Sequence, residues 1–137
     1  MAFTGNATCD SFKLGGFTGN FDFATDTLYI ALYTNSATLN ASTTEYTTTG
    51  EVVASGYTAG GIVLTPTTPV VVGDIAYVSF ANVTWTGAFT ARGALIYKPG
   101  ANGAICVLDF GSDKASTTTF TVQFPAATNT SAIIRIS

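Results

Sequence analysis

The chain has 137 residues, enough for a single domain with a substantial core, and its five Lys and Arg residues stand against eight Asp and Glu residues, for a net charge of −3. No residue is histidine, which excludes Ser-His-Asp and Cys-His nucleophile pairs and histidine zinc sites. The cations are scattered along the chain, so we predict no nucleic-acid partner. We also predict no enzymatic activity, no cofactor and no bound metal, and we expect the function to lie in the protein's surfaces.

The first 26 residues are rich in phenylalanine and glycine and show no clean period. We expect this segment to be either a helix laid over one end of the domain or an arm that docks on a neighbour. Asp10 can cap a short helix that runs through Leu14 and is ended by Gly15 and Gly16. The start of the chain has no signal-peptide pattern, and no apolar run approaches the roughly 18 residues needed to cross a bilayer. We therefore predict a protein made in the cytoplasm without a membrane partner.

Residues 27–33 (TLYIALY) predict the first strand, because the leucines and isoleucine point to one side. The other side carries Tyr29 and Tyr33, and we expect it to be wet or to face a partner. Further along, residues 42–45 (STTE) match a capping box, which predicts a short second helix over 46–49 with Gly50 as its stop.

The remainder of the chain is typical of β structure, with Val, Ile, Tyr, Phe and Thr between regularly spaced turn residues. Six further strands are predicted, over 60–66, 75–85, 90–98, 104–110, 117–124 and 131–137. The intervening dipeptides Pro99-Gly100 and Asn102-Gly103 predict an antiparallel hairpin between 90–98 and 104–110.

The segment 117–124 alternates clearly: Phe120, Val122 and Phe124 share one face, and threonines occupy the other. Threonine suits an exposed strand face because its branched Cβ favours extended backbone. Together the strands predict a single all-β domain, an antiparallel β-sandwich of jelly-roll-like or Ig-like type with one or two short helical turns. We place the N-terminal segment at 1–26 and the β-sandwich domain at 27–137.

Two short patterns suggest metal binding, but the sequence lacks the other parts of each motif. The tripeptide Asp-Phe-Gly at 109–111 matches a kinase motif, but the glycine-rich loop, strand lysine and catalytic loop of kinases are missing from the sequence. Asp109 and Asp113 bracket a turn, yet the spacing of a calcium loop is missing too.

Three further residues leave alternatives open. Cys9 and Cys106 could form a disulfide, although buried free thiols are favoured for a protein made in the cytoplasm. Trp85 is either a sheet-packing residue or an interface or carbohydrate platform.

Two stretches, ALYTNSATLNASTTEYTTTGEVVASGYTAGG (31–61) and FTARGALIYKP…AICVLDFGSDKASTTTFTVQFP (89–125), resemble small virion structural proteins of tailed bacteriophages. The resemblance extends from about residue 27 to the end and implies a noncatalytic part of a phage particle. The segment 1–26 departs from the family pattern, and we expect attachment to the particle to be encoded there.

On this basis we expect a capsid decoration (cement) protein located in the virion, docked on the major capsid protein or other virion proteins. The interface residues predicted for this docking are Phe3, Phe12, Phe17 and Trp85. The alternative is a neck, tail or fibre component that serves as a receptor- or glycan-binding module, with Trp85 or the tyrosines as its platform.

We also expect a homo-oligomer, because a domain with so few charges should expose an apolar patch that needs covering. The resemblance favours a trimer. Tyr29, Tyr33 and the threonine-rich faces of 27–33 and 117–124 are the residues expected at its seam.

Overall fold

The computed structural model describes residue 3 and residues 5–136, and these residues form ten strands and one helix. The elements are β1 (Ala7–Thr8), α1 (Asp10–Thr18), β2 (Leu28–Tyr33), β3 (Ile62–Leu64), β4 (Val70–Val72), β5 (Ile75–Val78), β6 (Val83–Thr86), β7 (Thr90–Tyr97), β8 (Ala104–Ala115), β9 (Thr119–Val122) and β10 (Ile134–Ile136). All strand pairs are antiparallel. The prediction of an all-β, sandwich-like fold is confirmed.

The strands divide into one large sheet and two small ones. The large sheet has the order β1-β8-β7-β2-β3, and the small sheets have the orders β10-β5-β4 and β6-β9. The main core contains Leu28 and Ile30 from β2, Ile96 from β7, and Trp85 and Phe120 from β6 and β9. These two small strands therefore pack across one face of the large sheet.

The predicted hairpin between β7 and β8 is confirmed. Asn102 has a left-handed backbone with φ of 59°, and the Lys98 amide donates to the Gly103 carbonyl at 2.7 Å. A Cβ at Gly103 would lie 1.8 Å from the Lys98 carbonyl oxygen, so this turn requires glycine.

Both faces of β2 are buried, which corrects the expectation that its second side is wet or faces a partner. Ala31 and Tyr33 on that side are 0% exposed. They lie in a second core cluster with Phe3, Cys9 and Leu39, so the chain's own N-terminal segment and the loop after β2 cover this face.

The N-terminal segment packs on the sheet, and its helical alternative is the one the structure contains. Ala7 pairs with Val107, and the Cys9 amide donates to the Ile105 carbonyl at 2.9 Å. The helix runs on through both glycines to Thr18, so its predicted end at Gly15 and Gly16 is wrong. The physical reason is packing, since a Cβ at Gly15 would lie 2.4 Å from the ring of Phe21. The predicted cap is wrong as well, because Cys9 is the N-cap, no side chain makes a capping bond, and Asp10 is the first helical residue.

The helix predicted over 46–49 does not form. The Asn40 side chain accepts a hydrogen bond from the Ser42 amide at 2.8 Å, and the Thr43 hydroxyl accepts one from the Asn40 amide at 3.0 Å. These local bonds close a turn, and the first of them occupies the Ser42 amide that a capping box would leave for the Glu45 side chain.

The single strand predicted over 75–85 is two strands. β5 pairs with β4 and β10, whereas β6 pairs with β9, so the chain changes sheets between them. The partner strand β4 was not predicted. Its signal is the dipeptide Gly73-Asp74 between two apolar runs, which forms a two-residue hairpin loop with φ of 59° and 64°.

The strand β8 is longer than predicted and bulges near its end. Gly93 pairs with Asp109 and Ala91 pairs with Lys114, so the single residue Arg92 lies opposite four residues, 110–113. A bulge of this kind bends the strand outward and leaves residues 111–115 exposed.

Candidate docking surfaces

Three of the six predicted interface residues lie inside the fold, which corrects their assignment to a surface. Phe3 and Tyr33 are 0% exposed and Trp85 is 5% exposed. Phe3 occupies space that only a glycine leaves free, because a Cβ at Gly93 would lie 2.4 Å from its ring. The Arg92 guanidinium covers the same ring at 5.9 Å.

Trp85 is a core residue, which agrees with its interpretation as a sheet-packing residue and not as an interface or carbohydrate platform. Its ring lies 6.2 Å from the ring of Tyr57 and 6.4 Å from that of Phe120. It offers no stacking platform to a sugar in this fold.

The other three predicted interface residues differ in exposure. Tyr29 is half-buried and stacks on Tyr97 with ring centroids 5.8 Å apart. Phe12 is half-buried against Phe21 at 5.1 Å, whereas Phe17 is 93% exposed. Phe17 alone of the six projects fully into solvent, and its role at an interface stays a prediction.

An apolar cleft lies between α1 and β10. It has a volume of about 650 Å³ and is lined by Thr8, Phe12, Lys13, Gly16, Phe17, Ile133, Ile134, Arg135 and Ile136. A smaller hollow of about 180 Å³ shares Phe12, Gly16, Ile134 and Ile136 with this cleft and extends to Pro69 and Ala76. We call the two together the α1–β10 cleft.

A second surface is the outer face of the β6–β9 sheet, which carries four exposed threonines. Thr84 pairs with Thr121 and Thr86 pairs with Thr119, and the hydroxyls of the first pair lie 3.0 Å apart. The alternation predicted for 117–124 is confirmed, because Phe120 on the opposite side of β9 is buried. We call the four residues the threonine face.

A groove of about 440 Å³ borders the threonine face and shares Thr119 and Thr121 with it. Its walls come from β9 and from the bulged end of β8, and they include Phe110, Lys114, Ser116, Thr119 and Gln123. Half-buried Phe110 packs 6.1 Å from the ring of Phe120, which fixes one wall of the groove.

The most deeply buried acid is Glu51, which is 6% exposed. Its carboxylate accepts hydrogen bonds from the Tyr46 and Tyr57 hydroxyls, each at 2.5 Å, and from the Gly60 amide at 2.8 Å. Burial and the bond to Glu51 raise the pKa of both tyrosines. The carboxylate is fully occupied in holding the loop before β3, so it is not free to act on a substrate.

Two further acids are held in ion pairs. Asp109 accepts from Arg92 at 3.0 Å, and this bond lowers the pKa of the Asp109 carboxyl. Asp26 lies 3.2 Å from Lys98, and a bond from the Asp22 backbone is the main cause that lowers its pKa. Within residues 3 and 5–136, no group of three His, Cys, Asp or Glu side chains is placed to hold a metal ion.

Both cysteines are buried free thiols. Burial raises the pKa of Cys9 to about 11 and raises that of Cys106 further, which keeps both thiols protonated and unreactive. In the part of the chain that the structure describes, no helix is both long and apolar enough to span a membrane.

Comparison with known proteins gives no relative: no family model, no curated protein and no solved structure matches this chain.

Proposed function

We propose that this chain is a noncatalytic structural protein of a tailed-bacteriophage virion, and that it docks on the head lattice as a decoration, or cement, protein. The major capsid protein is its partner in this proposal. Its work is mechanical: each copy bridges neighbouring coat subunits, so that the pressure of the packaged genome must break additional contacts before the shell opens.

The observation that carries the proposal is the threonine face. Thr84, Thr86, Thr119 and Thr121 present hydroxyls on a two-stranded sheet that bears no charge on this side. Hydroxyls supply hydrogen bonds to a partner without the cost of desolvating an ion. The buried rings of Trp85 and Phe120 lie directly beneath, so the face is rigid and loses little conformational entropy on docking.

A substitution at the centre of this face tests the proposal. Thr121→Arg places a long charged side chain beside Thr84, and we expect it to abolish occupancy on particles of the encoding phage that lack the native protein. Thr38→Arg is the matched control, since Thr38 is exposed on the loop after β2. Occupancy is measured by quantitative mass spectrometry of purified particles. Equal occupancy for both variants would contradict the role of the threonine face.

The alternative, a neck, tail or fibre module that binds a receptor or glycan, draws on the groove beside the threonine face. An aromatic wall from Phe110 with the polar groups of Ser116, Thr119 and Gln123 matches the chemistry of sugar binding. Copy number separates the two functions. A number comparable to that of the coat subunit supports decoration, whereas a few copies at one vertex support the alternative.

A further inference from the structure

Large apolar side chains are exposed around one end of the molecule. Phe17 is 93% exposed and Ile136 is 63% exposed. Val71, at 67%, belongs to the same surface, because Val71 pairs with Ala76 and Ala76 pairs with Ile136, and paired residues point to one face of a sheet. These residues and the α1–β10 cleft form one continuous surface, which we call the α1–β10 patch.

The patch combines a projection with a hollow. Phe17 stands out from the last turn of α1, directly beside the cleft of about 650 Å³. The cleft is open above Gly16, since a Cβ there would meet no atom within 4 Å. Most of its lining is apolar, with Phe12, Ile134 and Ile136 among the walls, and Lys13 and Arg135 lie at its polar part.

A surface that carries a projection next to a matching hollow is complementary to a second copy of itself. When two copies meet across a two-fold axis, the contact is made twice, since each copy offers both parts. We propose that the α1–β10 patch is a two-fold contact between two copies of this chain, in which Phe17 of each copy inserts into the α1–β10 cleft of the other.

The charges around the patch fit a second copy better than a strongly acidic or basic partner. Lys13 on the rim is paired with Asp10 at 3.3 Å, which leaves Arg135 as the remaining cation of the cleft lining. The whole chain has a net charge of only −3, so two copies approach with little repulsion.

This inference does not depend on the proposed function, because the threonine face and the α1–β10 patch are different surfaces. It differs from the trimer that the resemblance favours, since a two-fold contact of this type closes at two copies. It also places the contact between copies at residues other than Tyr29 and Tyr33, which pack against other residues of their own chain.

Sedimentation velocity of the full chain at micromolar concentration tests the dimer, which we expect at twice the chain mass. Phe17→Ser removes the projection, and Gly16→Leu fills the hollow with a good helix former. Each variant should raise the dimer dissociation constant at least about tenfold. Val53→Ser is the control, because Val53 is 96% exposed outside the patch, and it should leave the constant unchanged.

Mixing the two variants gives the sharpest result. A Phe17→Ser copy retains the Phe12, Ile134 and Ile136 walls of its cleft, and a Gly16→Leu copy retains its Phe17, so a mixed dimer recovers one of the two insertions. We expect the mixture to associate more tightly than either variant alone, with circular dichroism confirming that both are folded. A wild-type monomer, a trimer mass, or variants that both dimerise normally would overturn the proposal.

Discussion

The Tyr57 hydroxyl donates a 2.5 Å hydrogen bond to the buried Glu51 carboxylate while it accepts another from the Leu32 amide at 2.9 Å. This one hydroxyl therefore joins a carboxylate in the long loop before β3 to β2, which lies between β7 and β3 in the large sheet. The neighbouring Tyr46 hydroxyl donates to the other carboxylate oxygen and also accepts from the Gly60 amide, but that amide has the Glu51 carboxylate as a second acceptor at 2.8 Å.

We therefore expect Tyr57→Phe to cost more stability than Tyr46→Phe. Both changes remove a bond to Glu51, but only the first leaves a buried backbone amide, that of Leu32, without its acceptor. Free energies of unfolding from urea titration, followed by Trp85 fluorescence, should fall by about 3–4 kcal/mol for Tyr57→Phe and about 2 kcal/mol for Tyr46→Phe. Equal losses would show that the Leu32 amide finds another partner.

Alkaline pH should unfold this protein. Burial is the main cause that raises the pKa of Tyr33, Tyr46, Tyr57 and Tyr97, the last to about 12. In the unfolded chain a tyrosine ionises near pH 10, so their contribution to stability is complete below about pH 10 and is lost as the pH rises toward the folded-state values. Urea unfolding measured from about pH 8 to about pH 11.5 tests this, and a constant free energy over that range would contradict it.

Phe3→Ala tests whether the N-terminal segment is part of the core. The Phe3 side chain is fully buried against Gly93, so its removal leaves a cavity and should lower the free energy of unfolding by about 3–4 kcal/mol. The exposed Val53 provides the control, and Val53→Ala should change stability by less than about 0.5 kcal/mol. A small loss for Phe3→Ala would favour a loosely attached arm.

Asp109→Asn tests the ion pair at the base of the β8 bulge. The side chains of Arg92 and Asp109 are only 12% and 10% exposed. We therefore expect Asp109→Asn to lower the free energy of unfolding by about 2 kcal/mol at neutral pH. Because Arg92 lowers the pKa of Asp109, this contribution is present above about pH 4 and is lost as the pH falls through the folded-state value. The difference in free energy of unfolding between the wild type and Asp109→Asn should therefore become smaller as the pH falls below about 4.

The matched control for that experiment is Asp113→Asn, at an exposed position in the bulge itself. We expect its free energy of unfolding to differ from that of the wild type by less than about 0.5 kcal/mol at neutral pH. If the difference in free energy of unfolding between the wild type and Asp109→Asn stays constant down to about pH 2, the effect comes from the shape of the side chain and not from its charge.

Local patterns in the sequence determined the all-β class, the β7–β8 hairpin and the sidedness of β9. Each depends on neighbours along the chain: a turn dipeptide between two apolar runs, or an alternation within eight residues. The same kind of signal predicted a helix start near Asp10. The sequence also contains the signal of the β4–β5 hairpin, the dipeptide Gly73-Asp74 between two apolar runs.

Only the tertiary structure decided which aromatic residues are buried and which meet solvent. Phe3 and Phe17 stand in similar sequence surroundings, yet one fills the space above Gly93 and the other projects beside the α1–β10 cleft. Likewise, the alternation in β2 indicated a face that is wet or meets a partner, but the N-terminal segment and the loop after β2 cover it. Burial depends on contacts between distant parts of the chain, and a local pattern contains no information about which distant segment will pack there.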